Sequence, residues 1–215
     1  MKICVFFGNI GVGKSTWLRA LKEHKYNTVE EDLTKVLFLE NYWEHQRKIT
    51  PYKQSRNKYA FRTQVGFYSS WLNQYNKAKK IGDAFLDNTI LSHHSVFTEY
   101  MYENSIINNK EYEQLSKIYL DICSIVHIDH CFYLYCDKDE NMQRISIRNR
   151  NIELNNEEYI AILQQKYDSV YTKLAPNITK VDITKMNPYD IKDFKRFCTI
   201  LKMEGIELAD YLRRD

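Results

Sequence analysis

The chain has few of the residues that interrupt structure. Six glycines and three prolines among 215 residues leave no room for long disordered linkers, and a chain of this length buries a substantial core without staples. One domain spanning residues 1–215 is expected. The five cysteines (Cys4, Cys123, Cys131, Cys136, Cys198) are odd in number, include no Cys-x-x-Cys pair and mostly sit in apolar runs. That pattern excludes a disulfide framework and points to a reducing compartment. Long hydrophobic runs are missing as well. The apolar stretch Ile3 to Phe7 is far too short for a signal peptide or a membrane span and leads straight into a glycine loop, so a cytosolic chain beginning at Met1, with no membrane partner, is expected. Charge of one sign is also scarce. The net charge is +3 and acids are interspersed with the basic residues along most of the length, which argues against a groove for a nucleic-acid polymer.

What is present alternates between two periods. Lys2 to Phe7 is a run of β-formers with the composition of a strand buried on both faces. Thr16, Trp17, Leu18 and Leu21 then recur at helical spacing as far as about Tyr26. Tyr26 to Glu31, Ala84 to Asp87, His130 to Tyr135 and Thr179 to Ile183 read as further strands. Helices are expected over Leu33–Trp43, Tyr59–Lys80, His93–Glu103, Asn109–Val126, Glu140–Arg150, Asn156–Tyr171 and from Pro188 onward. Strands separated by helices predict an α/β fold with a parallel sheet.

Gly8-Asn9-Ile10-Gly11-Val12-Gly13-Lys14-Ser15-Thr16 matches G-x-x-x-x-G-K-[ST] in full and lies between a strand and a helix, the context the motif requires. Its glycines let backbone N–H groups face phosphate oxygens, Lys14 reaches the β- and γ-phosphates of ATP, and the Ser15 hydroxyl serves Mg2+ at the start of a helix whose dipole favours anions. Acids follow two strands: Glu30-Glu31-Asp32 and Asp87. In a parallel sheet these positions open on the ligand crevice. There one acid accepts a proton from an attacking hydroxyl and another holds the metal; the alternative is a set of solvated loop acids. Arg144 and Arg148 share a helix face, with Arg150 at its end, which suits a lid over transferring phosphates or an exposed basic face. Adjacent His93 and His94 point in different directions and lack a third ligand at metal spacing, so a structural or, for His93, a substrate-contacting role is expected. Most of the series Tyr59, Phe61, Phe67, Tyr68 and Trp71 is expected in the core, with one or two members available to stack on a base.

These residues, in this order, resemble the deoxynucleoside kinase family: G-N-I-G-V-G-K-S-T, the acid Glu31, the helix carrying Gln64, Asp87-Asn88-Thr89 and the R-I-S-I-R-N-R lid. The resemblance spans most of the chain. It implies a P-loop kinase fold with a five-stranded parallel sheet surrounded by helices, usually a homodimer, and transfer of the ATP γ-phosphoryl group to a deoxynucleoside 5′-hydroxyl. It implies Glu31 as general base, Asp87 near Mg2+, and Tyr42 with Glu153 on the sugar 3′-hydroxyl. It further implies Gln64 on the base edge, Phe97 against the base, Arg144, Arg148 and Arg150 on the phosphates, and the stretch from Asp182 to Pro188 beside the donor adenine.

The sequence departs from the family in the D/E-R-S motif, where Asn88 and Thr89 replace arginine and serine. Trp71 and His93 stand where cytidine- and purine-preferring members carry an arginine and an aspartate, which leaves base preference open. His45 to Asn57 is longer and more basic than the usual connection. Two other readings therefore stand beside the nucleoside kinase: a kinase of deoxynucleoside monophosphates or modified nucleotides, and an inactive nucleotide-binding accessory protein.

Overall fold

The computed structural model describes residues 2–48, 56–148, 157–174 and 178–203. Five strands, β1 (Ile3–Phe7), β2 (Thr28–Val29), β3 (Ala84–Asp87), β4 (His130–Tyr135) and β5 (Ile178–Asp182), form one parallel sheet in the order β2-β3-β1-β4-β5. The α/β class, the five strands and their parallel sense agree with the sequence reading. All five residues of β1 are buried, as a central strand covered on both faces requires.

Side chains alternate across that strand with period two. Cys4 and Phe6 point into a layer built by Trp17, Leu18 and Leu21 of α1 (Lys14–Glu23) and by Phe194, Phe197 and Leu201 of the C-terminal helix Ile191–Met203. Ile3 and Val5 face the opposite layer, where Tyr68, Trp71 and Tyr75 meet Leu115 and Ile122 of a helix at Asn109–Ile125. Phe7 stacks on Tyr133 and packs near Tyr167, in a third cluster on that same side.

The helices between the strands follow their caps. After the short α2 (Leu39–Lys48) and the long α3 (Ala60–Ile81), a continuous helical run covers α4 (Ile90–Ser92), a π-turn at His93–Thr98 and α5 (Glu99–Glu103). It begins three residues earlier than the periodicity suggested, because the Thr89 side chain caps it by accepting from Leu91 N. Next come α6 (Asn109–Ile125), closed at its start by a reciprocal capping box of Asn108 and Glu111 worth about 1 kcal/mol, then α7 (Lys138–Arg148), α8 (Glu157–Leu174) and α9 (Ile191–Met203).

One expected helix is corrected. Leu33–Trp43 is not continuous: Leu33–Lys35 is a single 3-10 turn capped by Asp32, Val36 is extended, Phe38 has a φ of 63°, and α2 starts only at Leu39. The break has a packing cause. The 36–38 segment crosses α3 at Gly66, where an added Cβ would stand 3.2 Å from Leu37 N, and Thr63 Oγ1 donates to the Phe38 carbonyl at 3.2 Å. Tertiary contact with α3 thus overrides the local apolar pattern.

Candidate active site

Sheet register sets the site. Phe6 of β1 stands opposite Asp87 of β3, and Val29 of β2 opposite Leu86. The glycine loop after β1, Glu31 after β2, and Asp87 therefore emerge side by side at the C-terminal edge of three adjacent strands, the edge where parallel sheets bind ligands. They open on a cleft of about 520 Å³ whose lining includes Lys14, Ser15, Glu31, Tyr42, Gln64, Asp87, Asn88, His93 and Phe97. All of these are singled out in the sequence, from positions as far apart as 14 and 97, and the fold brings them together.

The phosphate loop is held from three directions. Lys14 Nζ donates to the carbonyls of Gly8 (2.8 Å) and Asn9 (3.1 Å), so its ammonium lies across the loop. The buried Asn9 amide donates to Ile160 O (2.9 Å) and Gln164 Oε1 (3.2 Å), and its oxygen accepts from Ile10 N (2.8 Å), which ties the loop to α8. Arg144 donates from Nη1 to Val12 O (2.7 Å), from Nη2 to Ile183 O (3.1 Å) and Thr184 O (3.3 Å), and from Nε to Glu140 Oε1 (2.8 Å). Its guanidinium joins α7, the loop and the turn after β5. Gly11 has a φ of 82°, and a Cβ there would collide with Ile145 and with Asn141 Oδ1. Asp182 lies at the end of β5 and accepts from Thr184 N (2.9 Å) and Thr184 Oγ1 (2.6 Å); these bonds hold its carboxyl below the usual carboxylate range.

Ser15 Oγ donates to Asp87 Oδ2 at 2.7 Å, while Asp87 Oδ1 is buried with no hydrogen-bond partner. No group of three or more His, Cys, Asp or Glu side chains suited to a metal occurs among the described residues. A hydroxyl beside an unsatisfied carboxylate oxygen fits Mg2+, which takes one or two protein oxygens and completes its shell with phosphate and water; it does not fit a closed structural metal cage.

The base-side wall comes from α3 and the π-turn. Gln64 is fully buried; its Nε2 donates to the His93 carbonyl at 2.5 Å, and its Oε1 has no partner. The same carbonyl accepts from Thr98 Oγ1 at 2.9 Å. His93 stacks on Phe67 with centroids 5.2 Å apart, and Phe97 is tilted against it at 6.4 Å. Burial first, and the Lys14 charge second, pull the His93 pKa down to about 3, so its 3.4 Å approach to Glu31 joins a carboxylate to a neutral imidazole and is no ion pair. His94 points the other way, onto Tyr68 Oη (2.9 Å) and the face of Tyr119 (4.3 Å). Burial raises the Tyr42 phenol above its ordinary value and keeps it protonated.

Asn88 adopts a φ of 67°, a conformation asparagine tolerates better than most residues. Its Oδ1 accepts from Thr89 N (3.0 Å) and its carbonyl from Trp71 Nε1 (3.1 Å). Trp71 is thus part of the core behind the cleft. Sequence reasoning missed Trp43, Met101, Tyr159 and Tyr167, which also line the cleft. The eight-residue spacing of the two tyrosines on α8 is the signal that marks them as one helix face. The Arg148 side chain, Arg150, Glu153 and most of the 45–57 segment fall outside the described residues, apart from positions flanking them such as His45, Gln46 and Asn57.

Comparison with known proteins gives a concordant picture. A sequence profile described as deoxynucleoside kinase matches residues 3–202. A putative kinase protein of Invertebrate iridescent virus 6 is 28% identical over 186 residues, covering 85% of this chain and 89% of that one. Deoxyadenosine kinase from M. mycoides has a similar fold. Its structure with bound dATP superposes with a TM-score of 0.73 at 22% identity, over 94% of this chain and all of that one. The structure with products dCMP and a flexible dCDP gives 0.74 at 22% identity, over 96% of this chain and all of the other.

Proposed function

The chain belongs to the deoxynucleoside kinase family, an ATP-dependent phosphotransferase family, and we propose that this cleft carries the γ-phosphoryl group of ATP to the 5′-hydroxyl of a deoxynucleoside. The observation that supports this most directly is the convergence of Lys14, the Ser15–Asp87 pair and Glu31 on one edge of the sheet. Phosphoryl transfer needs little covalent work from the protein; positioning and charge stabilisation supply most of the rate.

The division of labour follows from placement. Backbone N–H groups from Gly8 to Thr16 and the Lys14 ammonium receive the donor phosphates, and Arg144 secures that loop through the Val12 carbonyl. Ser15 and Asp87 hold Mg2+, which when bound neutralises phosphate charge. Glu31 accepts the proton of the attacking hydroxyl. Tyr42, protonated throughout the neutral range, holds the sugar, with Glu153 as its partner on the strength of the resemblance. Gln64 reads the base edge, Phe97 and Phe67 provide apolar walls, and Arg148 and Arg150 serve the transferring group. The Asp182 turn lies on the donor side.

No described helix is long and apolar enough to cross a membrane. We further propose one domain through residue 215, a cytosolic location and, on the strength of the resemblance, a homodimer. The test is a transfer assay with ATP, Mg2+ and the common deoxynucleosides, with their 5′-monophosphates as alternative acceptors. The expected products are ADP and a deoxynucleoside 5′-monophosphate. Exclusive use of monophosphates as acceptors, or no transfer at all, would overturn the reading.

A further inference from the structure

The division of labour above uses only the carbonyl of His93, through Gln64, and gives its buried ring no part in the chemistry. Only 2% of it is exposed, and its Nε2 has no hydrogen-bond partner. A buried polar nitrogen left in that state is costly to the fold, so its surroundings bear on what it does. The ring cannot easily turn away. His93 opens the π-turn, its carbonyl is fixed by Gln64 Nε2 and Thr98 Oγ1, and its ring is stacked on Phe67. Such π-turns are frequent at functional sites. Held this way, Nε2 lies 3.4 Å from Glu31 Oε1.

The chemistry of the approach is constrained. A neutral imidazole that faces a carboxylate presents its N–H, because the lone pair of the other tautomer would oppose the carboxylate oxygen. Asn88, next to Asp87, does not supply an alternative cation: it is uncharged and its Oδ1 is engaged by Thr89 N. The separation is longer than a well-formed hydrogen bond, in the manner of catalytic contacts that tighten once substrate is bound.

We propose that His93 is a positioning residue for phosphoryl transfer, donating Nε2–H to one oxygen of Glu31 so that the other oxygen faces the acceptor hydroxyl. The proposal rests on the reading of Glu31 as the general base. A donor on one oxygen fixes the carboxylate plane, and small displacements of a catalytic group are costly in rate.

The experiment compares two variants with the parent enzyme, scoring kcat and the KM of each substrate. His93→Phe preserves a ring against Phe67 and removes the N–H; His93→Gln returns an N–H donor near the same point. Thermal unfolding of both verifies folding, and His93→Leu replaces the phenylalanine variant should that one not fold. The expected result for His93→Phe is a fall in kcat of about 10- to 100-fold, with both KM values within threefold and with His93→Gln recovering most of the loss. This is a share of the 10²–10⁴ that a positioned base contributes. A kcat within twofold of the parent in His93→Phe overturns the proposal, as does a loss confined to the nucleoside KM, which would make the ring a wall of the base pocket. If Glu31→Gln turns over normally, the reading of Glu31 itself fails; if that variant is inert and His93→Phe is unaffected, only the role of His93 is lost.

Discussion

Ser15 and Asp87, 72 positions apart in the chain, meet at 2.7 Å, hydroxyl to carboxylate, at the junction of the phosphate loop with β3. The second Asp87 oxygen is buried and unpaired. That asymmetry predicts a residue which serves the metal more than the fold. Asp87→Asn should lower kcat by at least 100-fold in saturating Mg2+, given the weight of electrostatic stabilisation in phosphoryl transfer, while deoxynucleoside affinity by calorimetry stays within a few-fold. Normal turnover in the variant would remove Asp87 from the metal site.

Gln64 presents an acceptor in a dry wall while its own amide is held by the His93 carbonyl. A base that donates to Oε1 therefore gains a contact worth about 1–3 kcal/mol, the range for a well-made base-edge pairing. Gln64→Leu should reduce kcat/KM for the preferred deoxynucleoside by about 10- to 100-fold and leave the ATP KM unchanged. Equal losses for both substrates would show that the substitution disturbs the whole cleft.

Gly11 packs where no side chain fits, with Ile145 and Asn141 Oδ1 occupying the space a Cβ would need and a φ of 82°. Gly11→Ala should weaken ATP binding at least tenfold and cost more than about 1 kcal/mol of stability, the usual penalty for alanine at positive φ. Denaturant titration and nucleotide binding check both. An unchanged ATP affinity would mean that the loop tolerates a shift of α7.

His93 and His94 both fold as neutral rings, their pKa values lowered by burial from 6.5 to about 3 and about 4. The unfolded chain then binds more protons than the folded one below about pH 6.5. Their contribution is fully present above that pH and is lost as acid is added, until each ring protonates in the folded state. With about 1.4 kcal/mol per pH unit for each ring, stability should fall by about 3 kcal/mol between pH 7.5 and 5.5, and by roughly half as much in His94→Gln. Equal urea midpoints at the two pH values would contradict this.

Much of this site is legible in the amino-acid sequence. The strand–loop–helix order places Lys14 and Ser15, and acids at strand ends place Glu31 and Asp87, because a parallel sheet delivers all such ends to one edge. What the sequence conceals depends on contacts between distant segments. The break at Phe38 follows from the close passage of Leu37 over Gly66, and an apolar helical pattern carries no trace of it. The π-turn that exposes the His93 carbonyl to Gln64 is likewise invisible in H-H-S-V-F-T. Trp71, aligned with a base-reading position, lies in the core, where its indole holds the Asn88 carbonyl.

The central claim is that Glu31 removes the acceptor proton at the head of the phosphate loop. Single-turnover transfer from ATP to a bound deoxynucleoside by Glu31→Gln tests it most directly. The account predicts a rate reduced at least 100-fold, with deoxynucleoside and ATP affinities within a few-fold of the parent; transfer at the parental rate would contradict it.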